Sequence, residues 1–322
     1  MLAAYAAELS AEDPLAGLVV GERPEPVAAD GWTTVRVKAA ALNHHDLWSL
    51  RGVGLKHDKL PMILGCDAAG IDEDGNDVLV HAVVSDPDWR GDETLDPRRS
   101  LLSERHQGTF AEQVVVPRRN VVPKPAALSY EEAACLPTAW LTAYRMLFKG
   151  ARIAPGDTVL VQGAGGGVAT ALIVLARAAG MRVWVTGRDE AKRQRALELG
   201  ASDVFESGTR LPSPVDAVLE TVGAATWSHS VKSLRPGGTL VVSGTTSGAS
   251  PASAELTRIF FLQLRVQGST MGTRDELHRL AQFLEVTGVR PLIDRVLPLA
   301  EAPLGFAAMA AGQLFGKVVF TI

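Results

Sequence analysis

Apolar and polar positions change rhythm along this chain. Before about residue 125 they form short β-like runs, such as Thr33–Ala40, Val78–Val84 and Phe110–Val116, punctuated by Gly, Pro and Asp. The segment 121–126 carries two prolines and marks a crossing between domains. Beyond it, strand and helix patterns alternate. The apolar run Thr158–Gln162 ends in glycines and opens a helical run through Leu172, Ile173, Leu175 and Ala176, which stops at Gly180, a C-terminal cap. A second strand ends at Thr186. There follow a helix over Glu190–Leu199 capped by Gly200, strand Val215–Glu220, helix Ala225–Leu234, a turn at 236–238 and strand Thr239–Ser243. Such alternation predicts a parallel, doubly wound sheet. After Gly268 the pattern gives helices near Arg274–Thr287 and Ala300–Ala311 and a last strand, Lys317–Ile322, that could return to the first domain. The polar stretch Ser85–Gln107 has little periodicity and reads as a surface loop or lobe.

At 322 residues the chain exceeds a usual single core, so two domains are expected. Hydrophobic residues make up 47% and charged residues 21%, with a net charge of −4, which argues against disorder and against a polycationic nucleic-acid binder. Cys66 and Cys135 are the two cysteines and form no paired-spacing motif, as suits a reducing compartment. The N-terminus lacks a basic region and meets Glu8 early, and no run of eighteen apolar residues occurs. A cytoplasmic protein without a membrane span is expected.

The candidate chemistry begins at Gln162-Gly-Ala-Gly-Gly-Gly-Val-Ala169, between a strand and a helix. Glycines let a backbone turn sharply and approach a pyrophosphate, while a helix N-terminus offers unpaired N–H groups and a positive dipole end. Gly165, Gly166, Gly167 and Val168 are the candidate phosphate-binding residues of a dinucleotide-binding β-α-β unit. At the end of the second strand, NAD enzymes place an acidic residue on the adenosine ribose. This chain has Gly187 and Arg188 there, with Lys192 one helical turn on. A small residue leaves room for a 2′-phosphate and the cations can bind it, so NADP(H) is the expected cofactor.

With these residues stand Ala40-Ala-Leu-Asn-His-His-Asp-Leu-Trp48, Arg51-Gly52, Leu64-Gly-Cys-Asp-Ala-Ala-Gly70, Gly108-Thr-Phe-Ala-Glu112, Leu141-Thr-Ala-Tyr144, Leu234-Arg-Pro-Gly-Gly238 and Gly316-Lys-Val-Val319. In their order and spacing the chain resembles the medium-chain dehydrogenase/reductases, nearest to their zinc-free quinone oxidoreductase branch, over nearly its full length. The resemblance implies an α/β fold: a discontinuous GroES-like β domain (1–125 and 270–322) and a Rossmann doubly wound parallel sheet (126–269), with the active site in the cleft between them. It also implies cofactor contacts at Thr142, Val222, Gly223, Ser243, Gly244, Thr245, Ser269 and Met271, and a homodimer formed through the edge strand Leu264–Gly268.

In zinc-dependent relatives the catalytic ligands would match Asn43, Cys66 (with its neighbour Asp67) and Thr138. An amide and a hydroxyl are poor zinc ligands, and the 85–107 loop lacks the four cysteines of a structural site, so no metal is expected. His44 and His45 are adjacent; on an extended segment they would point to opposite faces and could hardly grip one ion, leaving one packed or lining the cleft and the other solvated. Cys66 reads as a small buried residue, since no activating motif accompanies it. The resemblance leaves Asn43 and Asp46 as the candidate catalytic pair and Trp48 in the substrate pocket; the alternative for Asn43 and Asp46 is that they only tie down a turn.

The expected reaction is hydride transfer from NADPH to a quinone or an α,β-unsaturated carbonyl compound, with hydrogen-bond donors meeting the charge on oxygen and solvent supplying the proton. Three other readings stay open: a pathway-specific enoyl reductase, a non-catalytic NADP(H)-binding sensor or structural protein, and a zinc alcohol dehydrogenase.

Overall fold

The computed structural model describes residues 1–322. In chain order the strands are β1 (Leu2–Ala6), β2 (Leu18–Glu22), β3 (Trp32–Ala41), β4 (Met62–Ile63), β5 (Ala68–Ile71), β6 (Asp77–Val80), β7 (Val83–Val84), β8 (Ser100–Leu101), β9 (Gln113–Pro117) and β10 (Val121–Pro123), then β11 (Thr158–Gln162), β12 (Arg182–Gly187), β13 (Asp203–Glu206), β14 (Val215–Glu220), β15 (Leu234–Val242) and β16 (Arg265–Gly268), and last β17 (Ile293–Pro298) and β18 (Lys317–Thr321). The helices are α1 (His44–Leu50), α2 (Tyr130–Ala134), α3 (Leu141–Arg145), α4 (Gly167–Ala178), α5 (Glu190–Leu199), α6 (Trp227–Ser233), α7 (Leu256–Phe261), α8 (Arg274–Thr287) and α9 (Ala302–Ala310). No helix is long and apolar enough to cross a membrane. The chain divides into two compact units, Met1–Leu141 with Met271–Ile322, and Thr142–Thr270.

The first unit is built on a seven-stranded sheet of order β10-β6-β5-β3-β18-β17, with β9 also paired to β3, and a three-stranded sheet β2-β1-β4. Strand β3 is its spine. The first half of β3 pairs β9 from Trp32 to Arg36, and its last residues, Ala39 to Ala41, pair β18. Along β3 burial alternates through Thr33, Val35 and Val37, as one core face requires, and becomes continuous at Ala39–Ala41, where α2 packs. The closing strand thus returns to this unit, and with it comes an aromatic core in which Phe110 meets Phe306 and Phe320 edge-on at centroid distances of 6.1 and 5.1 Å. Burying each ring contributes roughly 1.5–3 kcal/mol.

Two sequence expectations change here, and the 85–107 segment gains detail. The run Val78–Val84 is two strands in different sheets, interrupted at His81, whose ring bonds the Gly272 carbonyl at 2.9 Å. The 85–107 loop is a lobe folded on its own carboxylates: Asp96 accepts the N–H groups of Asp86 and Arg98, and Asp92 accepts that of Thr94. The boundary between the units falls after Leu141 rather than near residue 125, because α2 packs on β3 and β5.

The second unit is a six-stranded parallel sheet of order β13-β12-β11-β14-β15-β16. Every residue of β11 is buried, as a central strand covered on both faces demands. Connections run outward from β11 in both directions, so strand order reverses between β11 and β14. That crevice, outside the carboxyl ends of the strands, is where such sheets hold ligands. Pro236–Gly238 lies inside β15 instead of forming a separate turn, and the pairing register shifts opposite it between Val215 and Ala217.

Candidate active site

Two polar clusters, one in each unit, bring together most of the residues singled out in the sequence. In the second unit, the carboxyl ends of β11, β12, β14 and β15 gather most of the residues singled out for the cofactor. Gly163, at φ +88°, turns the chain out of β11; only a residue without a Cβ adopts this freely. Gly166 then precedes α4 with no side-chain cap, and nothing stands within 4 Å of where its Cβ would be. The first N–H groups of α4 therefore face open space, the arrangement an anion uses. At the end of β12, Gly187 packs closely on the glycine loop, since a Cβ there would come within 3.1 Å of the Ala164 Cβ. Arg188 is exposed beside it and Lys192 half-buried.

The loops after β14 and β15 are laced together. Ser247 N–H donates to the Val222 carbonyl at 2.7 Å and Ser243 N–H to the Glu220 carbonyl at 2.9 Å. Beneath them lies a residue that the sequence reading missed. Glu220 is fully buried, and its carboxylate accepts the N–H groups of Val222 (2.6 Å) and Gly223 (3.0 Å) and the hydroxyls of Thr226 (2.8 Å) and Ser230 (2.6 Å). Gln162 extends the network from Ser230 to Thr186. Arg193 was missed too; its Nη1 donates to the carbonyls of Gly187 (2.7 Å) and Arg188 (3.1 Å) and fixes the end of β12. Ser269 follows the edge strand β16, and its N–H donates to the Val242 carbonyl at 2.9 Å. Thr142 is buried on α3, while Met271 belongs to the other unit.

The cluster in the first unit forms where β3 runs into α1. Asn43 is the residue before the helix, and the Asp46 carboxylate reaches back to its N–H at 2.8 Å and to the Gly65 N–H at 3.1 Å. Gly65, at φ +98°, has no room for a side chain: a Cβ would lie 2.5 Å from Phe110 and from the Thr109 hydroxyl. This tight turn places Cys66 and Asp67 beside α1. The Asn43 amide donates to the Ala41 carbonyl (3.1 Å) and to Asp67 (2.9 Å), and its oxygen accepts from Lys317 Nζ at 2.6 Å. Lys317, 2% exposed, also donates to the Leu42 carbonyl at 2.8 Å and lies 3.2 Å from Asp67. Both N–H groups of Asn43 are therefore engaged, and the residue positions an ammonium instead of presenting a free donor. Burial lifts the Asp46 carboxyl from 3.8 to about 6, partly opposed by the neighbouring His45.

His44 and His45 lie on helix α1, not on an extended segment, which corrects the expectation about their directions. His44 is exposed. His45 is half-buried, with Nδ1 3.4 Å from Cys66 Sγ and Nε2 3.1 Å from Glu104. Burial pulls the His45 imidazole down, but Cys66, Glu104 and Asp46 together raise it well above 6.5. Burial also pushes the Cys66 thiol up, and Sγ is 3.2 Å from the Leu102 carbonyl. Cys66 is buried as expected, yet it has partners that its local sequence does not announce. Met271, at φ +49°, packs with Cys66, Ala82 and Val83. Trp48 is half-buried on α1, its ring 6.5 Å from that of His44.

Residues 29–126 match the alcohol dehydrogenase GroES-like domain, and residues 167–286 match the zinc-binding dehydrogenase family. A zinc-type alcohol dehydrogenase-like protein of Schizosaccharomyces pombe is 29% identical, with 91% of each chain covered. An acryloyl-coenzyme A reductase of Sulfurisphaera tokodaii is 28% identical over 95% of this chain and 97% of its own. The crystal structure of an NAD-dependent alcohol dehydrogenase superposes over the whole of both chains with a TM-score of 0.91 and 33% identity.

Two of these descriptions name zinc, and the positions in question do not fit it. The Asn43 oxygen is bound to an ammonium, Thr138 offers only a buried hydroxyl, and Lys317 stands 3.2 Å from the Asp67 carboxylate. With the Asn43 oxygen taken and only a hydroxyl at Thr138, Cys66 is the one strong zinc donor among the three positions.

Proposed function

The chain belongs to the medium-chain dehydrogenase/reductase superfamily, and from that premise we propose that it is an NADPH-dependent reductase of conjugated carbonyl compounds. The acceptor is an α,β-unsaturated carbonyl compound or a quinone, and no zinc is held by Asn43, Cys66 and Thr138. The observation that carries this reading is the buried Lys317 ammonium, locked to Asn43 and Asp67 where zinc-dependent relatives would hold their metal.

When bound, the dinucleotide supplies the hydride. The remaining work falls to side chains and backbone of this chain. The α4 N-terminus and the glycine loop receive the pyrophosphate, while Arg188 and Lys192 bind the 2′-phosphate. Asn43 ties the ammonium to Asp67, and Asp46 fixes the start of α1, giving the cluster a set arrangement of dipoles at no reorganisation cost. Fixed dipoles without a metal suit an enolate or hydroquinone anion, whose charge is spread over several atoms, better than a localised alkoxide. Trp48 contributes an apolar wall to the substrate pocket, and solvent returns the proton.

The acryloyl-coenzyme A reductase among the relatives favours an enoyl substrate over a quinone. Absorbance of NADPH, followed with purified protein and an enoyl thioester, a simple enone and an ortho-quinone offered side by side, tests the choice. Faster turnover of the thioester or enone supports double-bond reduction; faster turnover of the quinone supports quinone reduction. Tight NADPH binding without turnover of any acceptor refutes the catalytic reading and leaves a sensor or structural role.

A homodimer forms through the open edge of β16, beside which Leu256, Phe260 and Phe261 on α7 are exposed. Light scattering that finds only monomer would refute this. Both cysteines are free, which accords with a cytoplasmic setting.

A further inference from the structure

The proposed reduction uses Asn43, Asp46 and Lys317 but gives no task to His45, Cys66 and Glu104. The geometry points to a transition-metal site whose protein ligands are His45 Nδ1, the Cys66 thiolate and an Asp46 carboxylate oxygen. The donor atoms of these three residues all lie within 4.8 Å of one another. In a tetrahedral zinc site, bonds of about 2.3 Å to sulfur and about 2.0 Å to nitrogen place those two atoms roughly 3.5 Å apart. Here Nδ1 and Sγ are 3.4 Å apart. That pair already stands at the separation one ion requires.

The surroundings fit a metal as well. The other His45 nitrogen bonds Glu104 at 3.1 Å, and a carboxylate in that position fixes the tautomer and ring orientation that a metal-bound histidine needs. Each Asp46 oxygen accepts a single N–H and keeps a second lone pair. A thiolate and a carboxylate balance a dication, while Lys317 is already balanced by Asp67. The side chains of His45 and Glu104 keep 17% and 23% of their exposure, which gives an ion a way in. Three protein ligands leave a fourth position open, with the Ser103 hydroxyl 3.7 Å from Sγ. Sulfur, imidazole and carboxylate together select Zn²⁺ or Co²⁺ over Mg²⁺ or Ca²⁺. Binding releases the Cys66 proton and forms the metal–sulfur bond, with no change of oxidation state. The set shares only Cys66 with the Asn43, Cys66 and Thr138 positions, and it does not depend on the proposed reduction.

Titration of the purified chain with Co²⁺, without NADPH or substrate, tests the site. The expected result is one cobalt per chain with a thiolate-to-cobalt charge-transfer band. Cys66→Ser should abolish that band. Glu104→Gln, at a partly exposed position, should weaken binding about 10–100-fold by freeing the ring. Thr138→Val should change nothing. Absence of the band in the parent chain, unchanged affinity in Glu104→Gln, or loss of binding in Thr138→Val would each overturn the assignment. Melting curves of each variant separate lost ligation from lost folding.

Discussion

Two buried carboxylates, one in each unit, are held in opposite ways. Glu220 is neutralised by dipoles: two backbone N–H groups and two hydroxyls, all from the loop and helix that follow its own strand. Asp67 faces a full charge, the Lys317 ammonium, together with the Asn43 amide, and its Oδ1 has no hydrogen-bond partner within the protein. The first arrangement is a local scaffold that shapes the loop proposed to hold the cofactor. The second joins three chain segments through one buried ion pair. A dipole network tolerates loss of one member; an ion pair does not, because the survivor remains a buried charge.

The largest expected effect follows directly. Lys317→Met should cost about 3–5 kcal/mol, since it strands the Asp67 carboxylate. Adding Asp67→Asn should return most of that loss, because the remaining partners are then neutral. Denaturant midpoints of the two variants measure this, and failure of the double variant to recover would show that Asp67 is not paired as described. Activity should fall in both, since both remove the ammonium.

Titration sharpens the contrast within the first unit. Burial holds His81 down to about 4, against 6.5 when unfolded. The unfolded chain therefore takes up this proton first as pH falls, and about 3 kcal/mol of stability is lost between pH 6.5 and 4. Asp46 acts with the opposite sign. Burial raises it to about 6 from 3.8, so the folded chain binds this proton more tightly, and the stability gained at low pH is lost as pH rises through that window. Melting temperature against pH should fall less steeply on acidification in His81→Gln and more steeply in Asp46→Asn, each compared with the parent chain. Parallel curves would remove both assignments.

Glu220→Gln should cost less, about 2 kcal/mol, because the amide keeps one acceptor while the hydroxyls of Thr226 and Ser230 can turn toward the new N–H groups. The readout specific to this site is weaker NADPH binding through the Val222–Gly223 loop. Unchanged affinity would reduce Glu220 to a core residue.

The two clusters also differ in how far they could be read in the sequence. Around β11 and β12 the phosphate chemistry is written within about thirty consecutive residues, so glycine spacing, strand and helix all announce one another. Glu220 escaped because its four donors are ordinary loop residues. Lys317 reaches Asn43 across 274 positions and Asp67 across 250, and no local pattern encodes such a meeting. One signal was available: Asn43 followed three residues later by Asp46 is a helix-start pattern, and it would have placed His44 and His45 on a helix. The His45–Glu104 contact, 59 residues apart, again depends on the fold.

The smallest effect concerns two neighbouring arginines. Arg188 is exposed at the end of β12, whereas Arg193 is tied to the carbonyls of Gly187 and Arg188. Arg188→Ala should raise KM for NADPH about tenfold, or about 1.4 kcal/mol, and leave that for NADH unchanged, because only NADPH carries the 2′-phosphate. Arg193→Ala should instead loosen the strand end itself and weaken both cofactors alike. If the parent chain binds NADH as tightly as NADPH, Arg188 has no phosphate to hold. If Arg193→Ala discriminates between the cofactors and Arg188→Ala does not, the 2′-phosphate site lies one helical turn further along α5 than proposed.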